Sequence, residues 1–209
     1  MGLAQQFGRP SGLLGAVVGR GMARGNADLS RWVVHQAAAR PGDGMHRVAE
    51  LGPGPGVGLR ALLEQFPDAQ VWGVDVSPVM LSQSRKRNRA AVSSGRLVLL
   101  EGDVSALGAA APADLVMANH VLYFWPDPVA ELTRIRSSLR PGGLLALGYQ
   151  LRQDMPAMAQ RRFPPAGHRL YGSDEEVTAL ATNAGYASVA QLVKGPEEAP
   201  QGRVMLATA

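Results

Sequence analysis

The chemistry of this chain starts in VAELGPGPGVGLRALLEQF, Val48 to Phe66, where Gly52, Pro53, Gly54 and Gly56 separate an apolar run from a helix-like run. Glycine lets backbone approach a ligand closely and take φ > 0. A helix opening near Val57 turns its free N–H groups to the same place. Two ligand classes compete for such a loop. Gly56-Val57-Gly58-Leu59-Arg60-Ala61 matches the dinucleotide pattern GxGxxA, but five residues past the strand end, inside the expected helix. The stretch abutting the strand is instead Glu50-Leu51-Gly52-Pro53-Gly54-Pro55-Gly56. A carboxylate at Glu50 repels a pyrophosphate and suits a cationic ligand; its plain alternative is a solvated strand end.

A second reactive group is His120, in Asn119-His120-Val121-Leu122-Tyr123. It is read as a general base, as a group orienting an acceptor, or as a histidine satisfied by local backbone. The four histidines, His35, His46, His120 and His168, show no metal-ligand spacing, and cysteine is absent. No metal site, disulfide or cysteine nucleophile is expected.

These groups need elements to position them. Strand-like runs cover Arg47 to Leu51, Gln70 to Val76, Arg96 to Leu100, Asp114 to Ala118 and Leu144 to Tyr149. Helical runs alternate with them. One covers Val57 to Phe66. Another opens at Ser77-Pro78 and runs to about Arg89, and a third opens at Asp127-Pro128 and stops at Arg140-Pro141-Gly142-Gly143. Cap residue followed by proline is a strong helix start. Ser173-x-x-Glu176 is a capping box for a helix ending near Ala184. Ala187 to Val193 and Arg203 to Ala207 then pair as a hairpin across GPEEAPQG.

Alternation of this kind predicts an α/β fold. Its sheet is doubly wound, mostly parallel and seven-stranded, with one antiparallel strand near the edge and helices on both faces. Residues 12–39 read as helical with a Gly-rich break, Asp28 capping the second part. The whole is expected to be a single domain, with an N-terminal helical lid over 1–44, a binding core over 45–150, and a variable lid, last helix and hairpin over 151–209.

With 209 residues, 46% hydrophobic and 18% charged, the chain has an ordinary globular balance. The run Leu13 to Val18 is too short for a leader or a membrane span, so a soluble, cytoplasmic protein is expected. The net charge of +4 is mild. Its densest cluster, Arg85-Lys86-Arg87-Asn88-Arg89, falls at a helix end favoured by the helix dipole and is read as solvated.

Taken in order, these motifs resemble the class I methyltransferases that use S-adenosylmethionine, over roughly Val48 to Tyr149. Glu50-x-Gly52-x-Gly54-x-Gly56 resembles the family's first motif. Asp75, 19 residues after Gly56, resembles the acid that grips both ribose hydroxyls. Glu101-Gly102-Asp103 resembles the acidic adenine contact. Asp114 to Asn119 resembles the fourth-strand motif, and Leu139 to Gly143 the turn before the fifth strand. The resemblance implies S-adenosylmethionine as cofactor and a binding set of Glu50, Gly52, Pro53, Gly54, Gly56, Asp75, Val76, Asp103, Val104 and Asn119. Asp75 is equally a turn former, and Asp103 equally a cap.

The resemblance further implies in-line displacement of the methyl onto a nucleophile, with His120 as the catalytic candidate. Met22, Trp32, Tyr123 and Tyr171 are the candidate substrate contacts. Asn26 is a further candidate lid residue. In the irregular stretch 152–172, Met155, Met158 and Phe163 join Tyr171 as grips for an apolar acceptor or as ordinary packing. Asn119-His120-Val121-Leu122 lacks the Pro-Pro-aromatic text of nucleic-acid amino methyltransferases and the acidic set of metal-assisted O-methyltransferases. A small-molecule acceptor is therefore expected, without nucleic acid or membrane, on a monomer or homodimer. The alternatives are an RNA or protein methyltransferase, a non-catalytic cofactor-binding protein, and an NAD-dependent oxidoreductase.

Overall fold

The computed structural model describes residues 27–40, 44–196 and 198–209. Within them seven strands form one sheet: β1 (Arg47–Leu51), β2 (Gln70–Asp75), β3 (Leu97–Glu101), β4 (Ala113–Asn119), β5 (Leu139–Tyr149), β6 (Ser188–Lys194) and β7 (Gly202–Thr208). The order is β3-β2-β1-β4-β5-β7-β6. β7 alone runs against its neighbours, antiparallel to both β5 and β6. The expected sheet, with its one reversed strand next to the edge, is the observed one.

The described helices are α1 (27–38), α2 (Val57–Gln65), α3 (Pro78–Arg87), α4 (Arg89–Ser93), α5 (Pro128–Ser138), α6 (Ala157–Arg162) and α7 (Asp174–Asn183). Their starts follow sequence. Ser77 Oγ accepts from Met80 N at 3.4 Å, Asp127 Oδ1 from Ala130 N at 3.0 Å, and Ser173 Oγ from Glu176 N at 3.3 Å. Glu176 closes its box one residue early, accepting from Gly172 N at 2.8 Å. Asp28 lies inside α1 rather than at a cap, and its carboxylate meets Lys194 Nζ at 2.7 Å.

Strand alternation divides the core between the two sheet faces. Leu115 and Met117 of β4 pack with α1 and α2, through Val33, Val34, Leu59 and Leu62. Val116 and Ala118 face the other way, toward Leu132 and Ile135 of α5 and Val177 and Ala181 of α7. Both faces are buried, which is why these strands read as continuous apolar runs. β5 starts five residues before the expected Leu144, because Leu139 already pairs with Ala113. The Pro-Gly-Gly turn is taken up as a register shift before pairing resumes at Leu144.

Candidate functional site

Strand order reverses between β1 and β4, the switch point where open α/β sheets bind ligands beyond the carboxyl ends of their strands. A cavity of about 410 Å³ lies there. It is lined by Glu50, Gly52, Pro53, Gly54, Asp75, Val76, Asp103, Val104, Asn119 and His120. Residues from four separate strand ends thus meet at one mouth. Of the expected cofactor set, Gly56 alone stands behind the wall.

Gly56 has φ 82°, and a Cβ there would collide with Ser84 Oγ. The loop is braced from α3. Asn88 Nδ2 donates to Gly56 O at 3.0 Å and to Ser84 O at 3.2 Å, and Arg87 Nε donates to Pro55 O at 2.8 Å. The basic cluster read as a solvated helix end therefore has two residues holding the glycine loop. The contact spans 32 residues, and no local pattern signals it.

The loop's own donors are consumed internally. Gly52 N donates to Val74 O at 2.8 Å, Gly56 N to Pro53 O at 2.9 Å, and Gly54 N to Asp75 Oδ2 at 2.9 Å. Leu59 N, in the first turn of α2, bonds Glu50. The amides of Gly52, Gly54 and Gly56 are turned to protein acceptors, so the loop itself is a poor phosphate cradle and a close-fitting backbone wall.

Glu50 and Asp75 sit on the α2 face of the sheet. Glu50 is 3% exposed, and Gly58 makes room for it: a Cβ at Gly58 would collide with Glu50 Oε1 and Met117 Cε. Glu50 Oε2 has no hydrogen-bond partner among the described residues. Burial first, then the charge of Asp75, push its carboxyl up to about 8, against the pull of the Leu59 N–H. Asp75 is also raised, chiefly by burial, while its bonds from Ser77 N and Gly54 N hold it down. It braces the loop and lines the cavity at once.

Asp103 caps the following 3₁₀ turn, Oδ1 accepting from Ser105 N at 2.9 Å and Ser105 Oγ at 2.6 Å. These bonds lower its carboxyl. Both readings of Asp103 coexist, since it also lines the cavity. Asn119 Nδ2 reaches Ser30 Oγ of α1 at 3.4 Å, and its Oδ1 is buried without a partner among the described residues.

His120 has φ 56°, a left-handed conformation rare outside glycine and typical of functional turns. Its N–H donates to Gly148 O at 2.8 Å, so the turn is pinned to β5 while the ring joins the cavity wall. Burial pushes the imidazole down to about 4, leaving it neutral at ordinary pH.

Of the expected substrate contacts, Trp32, Tyr123 and Tyr171 do not enter this wall. Trp32 packs against the core on the α1 side. Tyr123 is buried beneath His120, its hydroxyl accepting from Gln150 N at 2.6 Å and donating to Gln150 O at 3.2 Å. Tyr171, Met155 and Phe163 are buried in the core, while Met158 is exposed. Met22 and Asn26 lie outside the described residues. Sequence reading missed Ser30, Met80, Val121, Phe124, Trp125 and Glu131 in the wall. The aromatic pair right after His120 was the available signal. Phe124 is held from behind by His168 at 4.8 Å and Phe163 at 5.9 Å between ring centroids.

A family model described as a methyltransferase domain matches residues 49–145, from β1 into β5. Trans-aconitate 2-methyltransferase of Methylobacterium nodulans is 33% identical over 144 residues, 67% of this chain and 54% of that protein. The chain spans about half the length of the curated relatives it matches. An O-methyltransferase family protein from Burkholderia thailandensis superposes with a TM-score of 0.70 at 18% identity, over 91% of this chain and 58% of that one. The magnesium protoporphyrin IX methyltransferase of Synechocystis, with bound S-adenosylhomocysteine, gives 0.67 at 18% identity over 88% and 83%. The solved structures share the fold. The domain match over the strands that build the cavity, with the 33% identity to a named methyltransferase, shows a class I S-adenosylmethionine-dependent methyltransferase domain over residues 49–145.

Proposed function

We propose that the cavity binds S-adenosylmethionine and that the chain moves its methyl group to a small-molecule nucleophile. The observation that supports this most is the donor–acceptor balance of the wall. The glycine amides are satisfied within the protein, while acceptor atoms of Glu50 and Asn119 are left unpaired. A ligand rich in N–H and O–H donors and free of phosphate fits that balance.

In this reading Glu50 faces the ammonium end of the ligand, and Asp75 offers its remaining lone pairs to the ribose hydroxyls. Asp103 and the Val104 N–H meet the adenine. Gly52, Pro53, Gly54 and Val76 supply close backbone, and Gly56 sets the loop's turn. When bound, the cofactor supplies a methyl already activated by a sulfonium. What remains for the protein is alignment and exclusion of water. His120, neutral and braced, accepts a hydrogen bond from the acceptor and orients it. An imidazole pushed down to about 4 is too weak a base to deprotonate a phenol or alcohol appreciably.

The relatives are named for trans-aconitate, a polyanion. Glu50, Asp75 and Asp103 are committed to the cofactor in this reading, which leaves Glu131 as the acid of the described wall that an acceptor would meet. The proposed acceptor is a small molecule. No helix among the described residues is long and apolar enough to cross a membrane.

The first test is isothermal titration with S-adenosylhomocysteine, NAD serving as the parallel titrant. Micromolar binding of the first and none of the second supports the assignment. Binding of NAD, or of neither, refutes it. Methyl transfer to a panel of neutral, cationic and tricarboxylate acceptors then tests the substrate class.

A further inference from the structure

Among the described residues Glu50 is a buried acid without a counter-charge. Its Oε1 sits over Gly58, and its Oε2 has no partner among them. The described groups that share its cavity are acidic or neutral. β2 contributes Asp75, the β3 turn Asp103, α5 Glu131, α1 Ser30, and the end of β4 Asn119 and His120. The arginines of the adjoining elements are engaged elsewhere. Arg60 of α2 pairs with Glu64 at 2.8 Å on the exposed face. Arg47 of β1 binds the carbonyls of Ala110 and Ala111 at 3.0 and 3.1 Å. Arg140 pairs with Asp114 at 2.6 Å, and Arg87 of α3 holds Pro55 O. A carboxylate at Glu50 would be an uncompensated buried charge beside a second acid.

We infer that Glu50 is held as a neutral carboxyl in the free protein and gives up its proton when an ammonium-bearing ligand enters, so that ligand capture is coupled to proton release. The inference rests on reading the cavity as the cofactor site. The balance is simple: a protein carboxyl and a ligand ammonium become a carboxylate–ammonium pair, and one proton leaves to solvent. Opposite charge at contact distance favours the ionised acid, and burial strengthens the pair once formed. The rise of the free carboxyl to about 8, from burial and Asp75, agrees with the geometry. The consequence is a site whose affinity follows pH through the neutral range. A surface carboxylate in the same role would be pH-independent there.

The test is isothermal titration with S-adenosylhomocysteine in buffers of low and high protonation enthalpy. Near pH 7 the coupling releases about 0.9 proton per ligand, and Kd is roughly tenfold weaker near pH 6 than near pH 7. The Glu50→Gln variant binds without that pH dependence and reports any proton the ligand itself exchanges. The wild-type result stands alone should the variant not fold. Binding with buffer-independent enthalpy and one Kd at both pH values overturns the inference and leaves the cofactor reading intact. No binding at either pH overturns the cofactor reading and this inference with it.

Discussion

Replacing Glu50 by glutamine should stabilise the ligand-free protein, and by an amount that grows with pH. The unfolded chain ionises this side chain above its ordinary value of 4.5, whereas the folded chain keeps the proton up to about 8. A carboxyl raised on folding contributes fully below the unfolded value, and that contribution is lost as pH rises toward the folded one. By linkage, the wild type loses about 1.4 kcal/mol per pH unit across that window. The loss is on the order of 3 kcal/mol near pH 7 and about 5 kcal/mol above pH 8. Glutamine keeps the shape and can accept the Leu59 N–H, but has no proton to lose. Urea unfolding of both proteins without ligand gives the answer, with equal m-values as the check that the same surface is exposed. We expect Glu50→Gln to lie within about 1 kcal/mol of wild type near pH 5 and about 3–5 kcal/mol above it near pH 9. A stability difference that stays constant over that range would refute the buried, unpaired acid.

Three other perturbations test neighbouring parts of the site. Asp75→Ala should weaken S-adenosylhomocysteine binding by about 1.5–3 kcal/mol in calorimetry, the usual worth of hydrogen bonds to a charged group; unchanged affinity would remove Asp75 from the ligand. Asn88→Ala strips donors from Gly56 O and Ser84 O, and should cost about 1–3 kcal/mol in urea unfolding while also loosening the ligand, since the loop it braces forms the wall. His120→Ala should lower turnover with little change in cofactor affinity; wild-type kcat should show no histidine limb from pH 5.5 to 9, because the imidazole is charged only below about 4. A limb near pH 6.5 that vanishes in the variant would restore His120 as a base.

Local signals carried the fold a long way. Cap-plus-proline pairs at Ser77 and Asp127 and the Ser173 box placed three helix starts, because a cap is an interaction within one turn of chain. Strand-end acids also came together, because a parallel sheet brings every carboxyl end to one edge. Long-range contacts were not legible. Nothing near Arg87 or Asn88 announces that they hold a loop 32 residues earlier. Met155, Phe163 and Tyr171 looked like grips for an acceptor because their types suit either role, and burial assigns them to the core. His120 was picked out by type, but its positive φ and the bond of its N–H to Gly148 on the neighbouring strand are not encoded in any local pattern.

The polar accounting of this edge of the sheet bears on what the ligand must bring. Where the fold needs rigidity, polar groups are paired: Asn88 and Arg87 on loop carbonyls, Asp75 on Gly54 and Ser77, Arg47 and Asp114 at the far end of β1. Five buried side-chain atoms among the described residues lack partners, and Glu50 Oε2 and Asn119 Oδ1 are the two that belong to cavity-lining residues. Both are oxygens of acceptor type when Glu50 is ionised. A phosphate brings acceptors and a negative charge, so it leaves Asn119 Oδ1 unpaired, at a cost of about 1–3 kcal/mol, and gives Glu50 no reason to ionise. An ammonium, a pair of hydroxyls and an exocyclic amine bring donors. The glycine-rich loop is therefore better understood as a thin wall that lets a donor-rich ligand reach Glu50 than as a nest of amides that grips an anion.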